Sequence, residues 1–117
     1  MRRSLTKNQI IRLKADIDNV FKAGKRYSLS CFTLLVTDNS LSYSRIIVIP
    51  VKHYGNSVQR NHIRRQIKEI WRVNQERLIK GRDFAVVVRP MQEKSLTFQE
   101  KELLLLELFR KSGTLLS

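Results

Sequence analysis

With 117 residues the chain has room for one domain of ordinary size, and at 42% hydrophobic residues it can bury a core, which excludes wholesale disorder. Its 23 Lys and Arg against 10 Asp and Glu leave a formal charge of +13, beyond what solubility requires and pointing to a polyanionic partner. The longest apolar runs, 46–51 and 103–106, fall far short of the roughly 20 residues that cross a bilayer, and no apolar segment follows the basic N-terminus, so a soluble cytoplasmic protein without membrane partners is expected.

Asp16 to Ala23 reads as a short helix stopped by Gly24, with Ile17, Val20 and Phe21 on one face. Tyr27 to Thr37 is rich in Leu, Phe, Thr and Val and reads as a strand, followed by a turn at Asp38-Asn39-Ser40. Ser44 to Val51 reads as a second strand, in a hairpin with the first, with Pro50 at its end or on an unpaired side. Ser57 to Arg77 is a long helix capped by Asn56 or Ser57, with Gly81 beyond it. Phe84 to Val88 is a continuous apolar run that suits a buried central strand. Thr97 to Lys111 is an amphipathic helix stopped by Gly113. The order helix, strand, strand, helix, strand, helix predicts an α/β fold, an α+β sandwich of one mixed sheet with helices packed on it. Residues 1–117 are expected to form one domain, with 1–8 and 113–117 as flexible ends.

The excess charge is not spread evenly. Residues 1–89 hold 19 Lys and Arg against six acids, whereas residues 90–117 balance four against four. The C-terminal segment therefore reads as scaffold. Within the long helix, Arg60, Arg64, Arg65, Lys68 and Arg72 share a sector of about 140° with Asn61, at 100° per residue. Ile63, Ile67 and Ile70 lie on the other side, with Trp71 at the border. An ordinary solvated face would intersperse Glu to relieve the repulsion, and only Glu69 does so. Five cations along roughly 18 Å of helix suit a phosphate backbone better than a point anion. Asn61 fits either a sugar or base edge or a local capping contact.

The stretch Lys52-His53-Tyr54-Gly55-Asn56-Ser57-Val58-Gln59-Arg60-Asn61-His62-Ile63-Arg64-Arg65-Gln66-Ile67-Lys68-Glu69-Ile70-Trp71-Arg72 resembles the signature of the protein subunit of bacterial ribonuclease P. That signature combines a basic pair, a Gly turn, a cap and a basic helix in fixed register. Residues 13–26 are similar to the family's first helix and following turn, and Asp83 to Pro90 resembles its strand ending in Arg-Pro. His53 stands where a Lys or Arg is usual, Ser57 for Ala, His62 for Arg or Lys, and Ile17 for Phe; Pro50-Val51 replaces a β-former and Ser.

The resemblance implies a ribonucleoprotein endonuclease that removes the 5′ leader from precursor tRNA. The RNA subunit would hold the magnesium ions and perform phosphodiester hydrolysis, while the protein binds that RNA and the leader. It also implies a fold like the second domain of ribosomal protein S5, with a left-handed βαβ crossover. The motif positions that would face RNA are Lys52, His53, Arg60, Asn61, Arg64, Arg65, Lys68 and Arg72. The leader positions would be Ile17, Phe21, Thr33, Leu35 and Arg89. Ordinary core burial accounts for Phe21 equally well.

A catalytic site in the protein itself would need clustered carboxylates or a pair of acid and base groups. Asp16 and Asp18 do not share a helix face, and His53 and His62 straddle a turn. One cysteine, Cys31, with two histidines makes neither an internal disulfide nor, without carboxylates, a zinc site. No catalytic residue and no protein-held metal is expected, nor DNA as a partner. The alternative is a stand-alone or ribosome-associated RNA-binding protein with no part in cleavage.

Overall fold

Three strand-forming stretches become four strands. The computed structural model describes residues 9–90 and 96–116 and divides the expected strand 27–37 into β1 (Lys25–Leu29) and β2 (Phe32–Asp38). These pair antiparallel with Leu29 opposite Phe32, so the chain reverses through Ser30 and Cys31. Ser30 adopts φ of 56°, a left-handed conformation usually filled by Gly, Asn or Asp. No such residue interrupts the run of β-formers, which is why the run reads as continuous.

The expected hairpin between the first and second stretches does not form. β4 (Arg82–Val88) inserts between β2 and β3 (Arg45–Pro50), antiparallel to the first and parallel to the second, giving the sheet order β1-β2-β4-β3. β4 carries the Phe84–Val88 run, and the middle of a sheet is where both faces of a strand are covered. β3 is left at the edge with Pro50 as its last residue, where a missing N–H costs least.

Helix α2 (Ser57–Asn74) joins β3 to β4 and closes in a 3-10 turn, Gln75–Arg77, so it ends earlier than the expected Arg77. Asn56 is its cap: the Asn56 side chain accepts from the Gln59 N–H and the Gln59 side chain from the Asn56 N–H. Thr97 and Glu100 form the same box at α3 (Phe98–Lys111). The first helix, α1 (Lys14–Ala23), begins two residues before the expected Asp16 and has no side-chain cap. Gly24 ends it for want of space, since a Cβ there would lie 2.3 Å from the Val20 carbonyl oxygen.

α2 and α3 cover one face of the sheet. Ile63, Ile67, Ile70 and Trp71 from α2 and Leu105, Leu108 and Phe109 from α3 bury against Phe32, Leu34, Phe84 and Val86. Phe84 is the hub, edge-on to both Trp71 and Phe109 with centroids 6.0 and 5.7 Å away. Residues 113–116, expected to be a flexible end, are docked: Thr114 is buried, its carbonyl accepts from the Ile79 N–H at 2.8 Å, and Leu115 bridges to Leu78. The rest of the expected loose ends, 1–8 and 117, lies outside the described residues.

The opposite face reads as three rows across the strands, set by the pairing register. The first row is Arg45, Asp83 and Thr37; the second Ile47, Ala85, Leu35 and Arg26; the third Ile49, Val87, Thr33 and Ser28. α1 packs on the second row, where Ile17 and Val20 meet Leu35 and Ala85 together with Ile11.

The first row anchors α1. The Asp83 side chain is only 3% exposed and accepts from Arg45 Nε and Nη2 at 2.8 and 2.6 Å and from Asn39 Nδ2 at 2.9 Å. Arg45 Nη1 then reaches Asp16 of α1 at 3.2 Å. Asp83 holds the guanidinium above its ordinary pKa, with Asp16 adding to the effect. Removing one partner strands a buried charge. Arg45→Met is expected to lower unfolding free energy by about 3–5 kcal/mol in urea titrations followed by Trp71 fluorescence; a loss under about 1 kcal/mol would show that the pair is not a structural anchor.

Candidate nucleic-acid interface

α2 presents its cations because its isoleucines are committed to the sheet, as the sequence pattern predicts. The face is not uniform, however. Arg60 turns back onto the chain that precedes the helix: its guanidinium donates to the carbonyls of Pro50 at 3.1 Å, Lys52 at 3.3 Å, and Val51. It clamps the end of β3 and the turn that carries the exposed Lys52 and His53, and so has a structural role beside any contact with a ligand. Arg72 forms a two-pronged pair with Glu69, Nε to Oε1 at 2.9 Å and Nη2 to Oε2 at 2.6 Å, which holds the Glu69 carboxyl below its usual pKa. Its charge is therefore largely balanced.

Asn61, Arg64, Arg65 and Lys68 remain as the outward cluster. Asn61 accepts from Arg64 Nη1 at 2.9 Å, so of the two readings of Asn61 the local contact is present. Lys68 is half-buried, and its ammonium is pushed below its ordinary pKa by burial first, then by Arg64 and Arg12. Arg12 lies in the segment before α1 and carried no sequence signal; the fold brings it to the basic helix because Ile10 and Ile11 pair along the edge of β3. Crowded cations that lose hydration gain most from an arriving phosphate.

The leader positions separate into two groups. Leu35 is 1% exposed beneath α1, so it supports the surface and cannot touch a ligand; a strand under a helix buries the very residue that alternation places on that face. Ile17 packs beside it. Phe21 is 38% exposed and belongs to neither core cluster, which answers the core alternative. Thr33, on the third row, accepts from Arg89 Nη1 at 2.6 Å, and Arg89 Nη2 donates to the Ser30 carbonyl at 3.0 Å. Arg89 thus straps the β1–β2 turn to the end of β4.

The third row continues past the cluster under α1: Val87 packs against that cluster, Ile49 is half-buried, Thr33 is buried and Ser28 is exposed. At the β3 edge it meets the basic helix, since Ile49 and Pro50 line one groove with Arg60, Arg64 and Lys68. A strip that is apolar at Ile49 and Val87, carries hydroxyls at Thr33 and Ser28, and is bordered by cations at the β3 edge can receive an extended single strand, with bases toward the strip and phosphates toward the charges. Among the described residues, no group of three or more His, Cys, Asp and Glu is placed to hold a metal ion. The buried carboxylate of Asp83 is spent on Arg45 and Asn39.

A family model described as Ribonuclease P matches residues 5–113. The ribonuclease P protein component of Petrotoga mobilis is 38% identical over 93 residues, covering 80% of this chain and 77% of that relative. That of Finegoldia magna is 35% identical over 109 residues, 93% and 95% of the two chains. Among solved structures, the RNase P protein from Thermotoga maritima in complex with 1-(4-fluorophenyl)-2-thiourea superposes with a TM-score of 0.77 at 29% identity, covering 86% of this chain and 97% of that one. The Staphylococcus aureus RNase P protein at 23% identity shares the fold, with a TM-score of 0.82 over 92% and 97% of the chains.

The division between clamp and outward cations is testable by stability alone. Arg60→Ala removes charge-assisted bonds to three carbonyls and is expected to cost about 1–3 kcal/mol. Arg65→Ala is expected to stay within about 0.5 kcal/mol of the parent. Thermal melts of both variants measure this; equal stabilities would mean that Arg60 holds nothing.

Proposed function

The chain belongs to the ribonuclease P protein family, and from that membership we propose how its surface serves tRNA 5′-end maturation: α2 holds the catalytic RNA subunit, and the open third row beside α1 holds the leader of precursor tRNA. The observation that carries this reading is the joining of two unlike surfaces at the β3 edge, one cationic and one apolar and strip-shaped. A chain that bound RNA by charge alone would not need the second.

On the cationic side, Arg64, Arg65 and Lys68 neutralise phosphates and release counterions, with Arg12 joining them and Lys52 and His53 extending the surface from the turn. On the strip, Phe21 supplies a ring on which a leader base stacks, and Thr33 and Arg89 border its far end. Ile17 offers an apolar edge where a second ring would give stacking. The protein orients substrate and lowers the repulsion between two RNAs. Phosphodiester hydrolysis and the magnesium ions it uses belong to the RNA subunit, in the cytoplasm. No helix among the described residues is long and apolar enough to cross a membrane, and the surface has no part assigned to DNA.

Two variants divide the labour. Arg64→Ala with Arg65→Ala is expected to reduce the salt dependence of binding to ribonuclease P RNA by about two in log–log slope, near 0.9 per phosphate contact; an unchanged slope would remove α2 from that interface. Phe21→Ala is expected to weaken precursor tRNA binding to the assembled enzyme by about 1–3 kcal/mol while leaving mature tRNA untouched. Equal losses for both substrates would place Phe21 away from the leader.

A further inference from the structure

On the other side of the sheet, away from the strip, the N-terminal turns of α2 and α3 border a cleft of about 780 Å³, within the range that small ligands occupy. Its floor is Phe32 and Val88, which face the core shared with these helices; the cleft opens on the opposite side of the sheet from the third row, and Arg89 at its rim reaches round to Thr33 of that row. Its walls carry the rings of Tyr54 and Phe98 and the cations Arg65 and Lys101. None of the described residues lining it is a carboxylate.

Lys101 is the unexpected member. It comes from the C-terminal quarter, where charges balance, yet it points inward: Nζ donates to the neutral Gln66 Oε1 at 2.6 Å, and burial pushes the ammonium below its ordinary pKa. A half-buried lysine with a neutral partner has lost hydration without gaining a counter-charge. The surroundings are positive as well. The first turn of α2 contains no acid, and the acid of the first α3 turn, Glu100, is folded back to accept from the Thr97 N–H. The first turns of both helices line the cleft, and that of α2 brings no negative charge to it. Phe98, 37% exposed, offers an aromatic surface at the same place.

We infer that this cleft between α2 and α3 is a second RNA subsite that accepts one unstacked nucleotide, its base against Phe98 and Tyr54 and its phosphate on Lys101 and Arg65. Accessible rings beside cations without a carboxylate partner favour a nucleotide over a bare anion, which would leave the rings unused, and over an apolar peptide, which would leave the cations unpaired. The inference rests on the RNA-binding reading above and adds a site on the opposite side of the sheet. The nucleotide comes from either the RNA subunit or the precursor tRNA, which share this chemistry.

Photocrosslinking distinguishes the sources. The wild-type protein is assembled with RNA subunit and precursor, 4-thiouridine being placed throughout one RNA and then the other, and crosslinked peptides are identified by mass spectrometry. Crosslinks to residues 96–101 or Tyr54 are expected from one of the two RNAs. The double variant Lys101→Gln, Phe98→Ala is expected to lose those crosslinks and about tenfold in affinity for that RNA, with its melting temperature within a few degrees of wild type. Absence of crosslinks at these residues from both RNAs, while the wild-type protein binds them in a manner that depends on Arg64 and Lys68, overturns the subsite alone. Failure of the wild-type protein to bind either RNA overturns the RNA-binding reading with it. If the double variant does not fold, the wild-type crosslink map decides.

Discussion

Arg45 and Asp83 stand opposite one another on β3 and β4, and the placement of α1 depends on their pairing. The carboxylate is buried and takes three hydrogen bonds, two from Arg45 and one from Asn39. Desolvating such a group is costly unless every lone pair is used, so the pair fixes its neighbours as well. Asn39 pins the β2–β3 connection, also donating to the Tyr43 carbonyl. Asp16, at the other side of the guanidinium, brings α1 over the first two rows of the sheet. Of the apolar residues of the third row, Val87 packs against the cluster that α1 buries and Ile49 does not, and Phe21 stays at the surface. A charge pair remote from any ligand thus determines which part of the sheet can meet one.

A comparable constraint sets the roll of α2. The Asn56–Gln59 capping box and the Arg60 clamp on the carbonyls of residues 50–52 hold the first turn. With that turn fixed and Ile63, Ile67 and Ile70 buried, Arg64, Arg65 and Lys68 have one direction left. Repulsion among these cations weakens the helix by a few tenths of a kcal/mol per pair, and the buried isoleucines more than offset it. The same residues that lower the stability of the free protein are the ones that the proposed function assigns to RNA.

The amphipathic helices were legible because their signals are local: the isoleucine spacing of α2, the cap at Asn56, and the glycines Gly24 and Gly113 that follow α1 and α3. The strand pairing was not, because it is set by long-range packing. Phe84–Val88 read correctly as a central strand, but nothing local told that it would part β2 from β3. The Ser30–Cys31 reversal carried no Gly or Asn. At the site, charge type and sector were legible, while the commitment of individual charges was not. Arg60 and Arg72 look like Arg64 and Arg65 in sequence, yet one clamps a turn and the other pairs with Glu69. Alternation placed Leu35 with Thr33, and both are buried, Leu35 in the cluster under α1 and Thr33 beneath the Arg89 guanidinium. Arg12 and Lys101 reach their places through strand-edge pairing and helix docking, to which sequence spacing is blind.

The protein, on this account, orients two RNAs and leaves the bond-breaking to one of them. Single-turnover cleavage of a precursor tRNA by a bacterial ribonuclease P RNA at low magnesium, with and without the protein and with the protein alone, tests that division most directly. The account predicts faster cleavage at the mature 5′ end when the protein joins the RNA, and no cleavage by the protein alone. No stimulation at any magnesium concentration, or cleavage by the protein without RNA, would contradict it.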